Sequence, residues 1–203
     1  ELSVLSAALN WAVERKKIAK APRIFIGKQP PPKERYLTRE EADKLLAAIE
    51  TPHLKLFVRL ALATAARAGA LFELKWAKVD FQRRQIDLRK DGAETNKRRS
   101  IVPINDTLLE ALQEAQRGAL TPYVLEWAGD RIRRVHGAFD RACARCGWDD
   151  VTPHTLRHTA AVWMAEAGVP IPVIAQYLGH RSPKITFEVY ARFSPTYLRT
   201  AAA

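Results

Sequence analysis

The chain has 203 residues, room for one sizeable domain and a short appendage. Its 47% hydrophobic content can fill a core, and its 27% charged content is too low for a disordered chain. Thirty-three Lys and Arg against 22 Asp and Glu leave +11, a balance that favours a polyanion such as nucleic acid, with an anionic membrane surface as the rival. An apolar run such as "LALATAA" at 60–66 is far too short to span a bilayer. No signal peptide is visible, and the absent initiator methionine reads as a fragment of a longer protein.

Residues 2–20 predict an amphipathic helix ending in a basic turn. The prolines and charges of "APRIFIGKQPPPKERY" predict an extended linker over 21–36. Residues 1–20 are therefore expected to be the tail of a preceding domain, and 37–203 a second unit. "LTREEADKLLAAIE" opens with Thr38 and Glu41 at capping-box spacing. A second helix follows Pro52 and runs through "LKLFVRLALATAAR", interrupted by Gly69 near its end. The pattern then shortens: "VDFQRRQIDLR" and "SIVPI" predict an antiparallel sheet of about three strands. Helical periodicity resumes at 106–117, 131–146, 154–167, 171–178 and 183–192. The expected class is α+β, mostly α-helical with a small antiparallel sheet.

Cys143 and Cys146 stand as C-x-x-C. A zinc site would need two further ligands, for which His136 and His154 are the nearby candidates. The cysteines also continue one apolar helical face with Val135, Phe139 and Ala142, and that reading as core is preferred. Without a disulfide framework, a reducing cytoplasm is expected.

"VTPHTLRHTAAVWM" (151–164) carries the first chemical signal. Thr152 is a candidate N-cap, and Pro153 suits the first helical position. His154 and Arg157 then share one face, one turn apart, where free N–H groups and the helix dipole favour an anion. A bland alternative is a surface arginine beside a satisfied histidine. Arg67 ends an apolar helix, an odd place for a guanidinium without partners. His180 follows a Leu-Gly, and Tyr190 comes ten residues later. Two arginines, two histidines and a tyrosine suit phosphoryl transfer without metal or cofactor. The cations neutralise developing charge and the tyrosine oxygen forms a covalent intermediate.

The ordered set "AARAG … HTLRH … LGHRS … VYARFS" resembles the tyrosine recombinases, the phage-type integrases, over about 35–199. Residues 2–20 resemble the last helix of that family's core-binding domain, most of which this chain lacks. The resemblance implies that Arg67, His154, Arg157 and His180 surround a scissile phosphate in double-stranded DNA. Tyr190 attacks it, giving a 3′-phosphotyrosine and a free 5′-hydroxyl, with no need of ATP or metal. The family also places a general-acid lysine in a β-hairpin. Here "LRKDGAETNKRRSIVPI" offers Lys97, preferred for its place near the turn, and Lys90 as second choice. Lys90, Arg98, Arg99 and Arg181 are expected to contact the DNA backbone. Ala70 stands where the family often has an acidic residue. By resemblance, the working form is a homotetramer on two DNA sites, and the free domain a monomer. Accessory recombination factors are possible partners, and the expected setting is a bacterial phage or genomic island, with the protein in the nucleoid-bearing cytoplasm. The tail after Tyr190 either docks on a neighbour or frays.

Two rivals remain. Residues 155–180 have the outline of a helix-turn-helix, which would make the protein a non-catalytic DNA-binding regulator. That reading leaves Arg67 and the Tyr190 spacing unexplained. A type IB topoisomerase would share the chemistry, but the small size and motif spacing are integrase-like. Among the other candidates, Tyr177 reads as core and Tyr197 lies too far past His180. His158, next to Arg157, reads as a packing or supporting residue. His53 and His136 have no partners in sequence, and Trp76, Trp148 and Trp163 read as core aromatics.

Overall fold

A computed structural model describes residues 2–25, 35–89, 100–180 and 182–195. The chain divides into two units, Glu1–Glu34 and Arg35–Ala203. In the first, helix α1 (Leu2–Glu14) is shorter than the periodicity predicts. The chain leaves it at Lys16, which takes a left-handed φ of 54°. Arg15 and Lys17 lie 5.5 and 5.1 Å from the centroid of the Trp11 ring, so the basic turn folds back on an aromatic rather than extending the helix.

The second unit opens on α2 (Arg39–Ala48). The Thr38 side chain accepts from Glu41 N–H, and the Glu41 carboxylate accepts from Thr38 N–H. Arg35 grips the same carboxylate with two hydrogen bonds of 2.8 and 2.7 Å. This pins the chain entry to the helix start.

Helix α3 (Pro52–Thr64) is the central element. Leu54, Leu56, Phe57, Val58, Leu60 and Ala61 are all buried, which a helix packed on several sides requires. It runs along α5 (Asp106–Arg117) and α7 (Pro153–Glu166). Phe57 stacks on Phe72 with centroids 5.4 Å apart. Each such fully buried side chain contributes about 1.5–3 kcal/mol.

The sequence pattern carried this helix through Arg67. Instead it stops at Thr64, because Ala65 adopts a left-handed conformation (φ 49°, ψ 21°). A short separate helix, α4 (Ala68–Phe72), follows. Arg67 therefore lies in an extended connection between the two helices.

Strands β1 (Val79–Asp80), β2 (Gln85–Asp87) and β3 (Ile101–Pro103) form an antiparallel sheet in that order. Val79 pairs with Ile86, and Ile86 with Val102, so one buried apolar file faces the core. A second hairpin, β4 (Glu126–Trp127) with β5 (Asp130–Arg131), was not expected. Its turn uses Ala128 and Gly129, both at positive φ. Alanine is an uncommon occupant of that region, so Gly129 was the one turn residue the pair offered. The hairpin delays the next helix, α6, to His136–Arg145 rather than 131–146. Cys143 and Cys146 are buried free thiols at its end, in the main core. Burial pushes the Cys143 thiol up to about 11, with Cys146 adding to the effect.

The last layer is α7, α8 (Ile171–Leu178) and α9 (Pro183–Tyr190). Its core is largely small: Ala65, Ala160, Ala161 and Ala165 meet Val162, Ile174, Leu178 and Tyr190. Small side chains let the three helices approach closely, which brings their ends together around one point.

Candidate active site

Arg157 lies at the centre of this layer and is 6% exposed. The start of α7 places it there. Thr152 is extended, its hydroxyl accepts from Thr155 N–H, and Pro153 takes the first turn. Arg157 Nη1 donates to the Ala65 carbonyl at 2.7 Å. Its Nη2 donates to the Leu178 carbonyl at 2.9 Å and lies 3.1 Å from His180 Nε2. Both carbonyls sit at helix ends. Ala65 closes α3, and Leu178 closes α8 before the left-handed Gly179 (φ 66°). Carbonyls left over at helix C-termini carry partial negative charge. Among the described residues they are what steadies this cation, since no carboxylate pairs with it. A guanidinium has five N–H bonds, so three hydrogen bonds leave two for another acceptor. Burial first, then the charge of Arg67, lowers its affinity for its proton to about 10.

His180 is held on both sides. A guanidinium only donates, so His180 Nε2 accepts; Nδ1 must then carry the proton and donate to Thr186 Oγ1, 2.8 Å away. Thr186 is fully buried on α9. Burial, reinforced by Arg157 and Arg67, pushes His180 down to about 4, so it is neutral at pH 7. His154 stands at the exposed edge of the cluster. Partial desolvation, then Arg157 and Arg67, lowers it as well.

Arg67 is half-buried and forms no hydrogen bond or ion pair within the described residues. Its extended backbone (φ −69°, ψ 140°) precedes α4. Its field reaches His154, Arg157 and His180 alike, so the four groups share one positively charged locus. Tyr190 ends α9 and is 7% exposed. Burial raises its phenol above the usual range, against the opposing pull of Arg157. The five residues singled out in the sequence thus converge, with 123 positions between the first and the last.

His158, which the sequence reads as a packing or supporting residue, has its Nδ1 3.2 Å from the Tyr190 hydroxyl, with the rings 5.2 Å apart. The available signal was its place four residues after His154, one turn along the same face, rather than its adjacency to Arg157. Tyr36 meets His158 edge-on at 6.4 Å and Phe193 at 5.4 Å.

Tyr177 has a structural place: its hydroxyl donates to the Ala63 carbonyl at 2.7 Å, and burial pushes it to about 12. Ser100 donates to the Tyr177 carbonyl at 2.7 Å, so the strand-side end of the basic hairpin meets α8. Ala70 is buried. Trp163 is half-buried, donates to the Leu37 carbonyl and lies under the Arg39 guanidinium at 3.8 Å. Lys90, Lys97, Arg98, Arg99, Arg181 and Tyr197 lie outside the described residues. Among the described residues no group of three or more His, Cys, Asp or Glu could hold a metal ion. No helix there is long and apolar enough to cross a membrane.

Residues 35–196 match the Phage integrase family. The integrase of Salmonella phage P22 is 31% identical, over 97% of this chain and 54% of its own length. The catalytic domain of bacteriophage HP1 integrase is 27% identical with a TM-score of 0.62, over 82% of this chain and 92% of that one. The Tn1549 transposon integrase, solved in complex with a circular intermediate DNA, has the same fold at 22% identity and a TM-score of 0.74, over 99% of this chain and 76% of that one. The chain spans about half to two thirds of the curated relatives it matches.

Proposed function

As the chain belongs to the phage integrase family, that of the tyrosine recombinases, we propose that it is the catalytic part of a site-specific DNA recombinase. It cleaves and rejoins double-stranded DNA through a 3′-phosphotyrosine. The observation that carries this reading is Arg157: a buried cation, held by two helix ends and by no carboxylate among the described residues, beside an Arg67 that pairs with none of them and a buried tyrosine. Holding such a charge unpaired costs stability, and a bound phosphate offsets that cost.

In this mechanism Arg67 and the remaining N–H groups of Arg157 take the non-bridging oxygens of one phosphate, which stabilises the charge of the transition state. His154 and His180 border the same phosphate. Tyr190 attacks phosphorus, and the 5′-oxygen leaves. Lys97, with Lys90 as the alternative, protonates that oxygen. Arg98, Arg99 and Arg181 grip the backbone on either side. Residues 1–20 are the last helix of a core-binding domain, 21–36 the linker and 37–203 the catalytic domain. The assembly is a homotetramer on two DNA sites in the bacterial nucleoid.

The regulator reading has less support. Helix α8, which would be the reading helix, has no basic residue, and its last carbonyl is taken by Arg157. The test is covalent capture of a nicked duplex carrying the cognate site. Wild-type protein is expected to give a denaturant-resistant adduct; its failure in the full-length protein as well would return the regulator reading. Binding should weaken steeply with salt as counterions are released, and a flat response would remove the nucleic-acid reading.

A further inference from the structure

The Tyr190 hydroxyl must lose a proton when its oxygen bonds to phosphorus, and the residues around it differ in their capacity to accept one. His180 has no lone pair to offer, since Nε2 is occupied by Arg157 and Nδ1 carries the proton given to Thr186. Neither His154 nor His180 hydrogen-bonds the hydroxyl among the described residues. The partner it has is His158 Nδ1, at 3.2 Å. Resting on the recombinase reading above, we infer that His158 is the catalytic base that takes the proton of Tyr190.

The surroundings suit that task. Burial keeps the phenol protonated at neutral pH, so the hydroxyl has a proton to give, and the role requires the His158 tautomer in which Nδ1 accepts it; a positioned base is what such a nucleophile needs. The imidazole is fixed from several sides. Tyr36 lies against its ring, and Phe193 against Tyr36. The segment carrying Tyr36 is fastened to α7, because Leu37 N–H donates to Thr159 Oγ1 at 2.9 Å and Trp163 Nε1 donates to the Leu37 carbonyl at 3.0 Å. His158 and Arg157 are neighbours on one helix, so the groups that hold the proton and the phosphate move as one body.

The step balances. The Tyr190 O–H bond breaks and its proton goes to His158 Nδ1. The Tyr190 oxygen–phosphorus bond forms, and the bond from phosphorus to the 5′-oxygen breaks. That oxygen takes a proton from the general acid. In rejoining, a 5′-hydroxyl attacks phosphorus, the phosphotyrosine bond breaks, and the His158 imidazolium returns its proton to the Tyr190 oxygen.

The experiment uses nicked duplexes captured by the wild-type chain from a random-sequence pool. His158→Asn keeps a polar side chain able to hydrogen-bond the hydroxyl but cannot accept its proton. It should slow adduct formation by about 100-fold or more, the usual range for a lost general base, with DNA binding unchanged. Difluorotyrosine at position 190, whose phenol ionises near neutral pH, should restore most of that rate. A full adduct rate in His158→Asn, or a defect that difluorotyrosine does not relieve, overturns the inference and leaves the recombinase reading intact. No adduct with wild type would overturn both. A second arm needs no DNA and no His158 variant. Nitrogen-15 NMR of the free chain should show His158 Nδ1 without a proton, with its signal shifted by Tyr190→Phe. A protonated Nδ1, or no response to Tyr190→Phe, overturns the inference as well.

Discussion

The α3–α6 core and the α7–α9 layer solve opposite problems with the same helices. The first fills space with large apolar side chains: Phe57, Phe139, Leu54, Leu60 and Leu112 are almost wholly buried. The second is lined with alanines and buries Arg157, Thr155, Thr159 and Thr186. The first region gains stability from burial; the second gives up apolar area to hold charge where water is scarce. Electrostatic interactions are strongest in such a place, and so is the cost of leaving a charge unpaired. Under the proposed function, the alanine-lined layer does the chemistry and the larger apolar core holds it in position.

That division can be broken at several points. The largest effect is expected at the end of α9. Tyr190→Phe should abolish the denaturant-resistant DNA adduct while leaving DNA binding and the thermal midpoint near wild type, as read on denaturing gels and by melting. Next come paired substitutions, one in each region. Arg157→Met should lower adduct formation by about 100- to 1,000-fold, as for loss of a transition-state donor. Phe57→Ala should cost about 3–5 kcal/mol in denaturant unfolding, with adduct formation per folded molecule unchanged. Arg157→Met should cost less stability than Phe57→Ala, because the charge removed has no anionic partner among the described residues. A larger cost would erase the contrast.

The pH response should be smaller and should come from the charged layer. His180 is pushed down to about 4 from an ordinary 6.5, and His154 is lowered too. The unfolded chain therefore takes up these protons first. Their contribution is complete above about pH 6.5 and is lost as pH falls toward 4. Denaturant midpoints across that range should fall, and His180→Asn should flatten the slope. The smallest effect is expected at the exposed Arg84–Asp106 pair, 2.6 Å apart. Arg84→Ala should change unfolding free energy by less than about 0.5 kcal/mol.

Much of this was legible in the chain itself. Helices α5 and α8 fall within the predicted spans because their apolar residues recur at helical spacing and a glycine, Gly118 or Gly179, follows each. The charge, the order of the motifs and the identities of Arg67, His154, Arg157, His180 and Tyr190 are linear facts. Local pattern stopped being sufficient where backbone conformation departed from what side chains announce. Ala65 and Ala128 turn left-handed although neither is a glycine, and so the end of α3 and the start of the β4–β5 turn were not marked in the sequence. Tertiary contact alone decided the rest. It set which carbonyls steady Arg157, which tautomer His180 must adopt and which histidine meets Tyr190. Those outcomes depend on helix ends meeting across as many as 92 positions, and periodicity, which reports only a residue's neighbours along its own helix, carries no record of them.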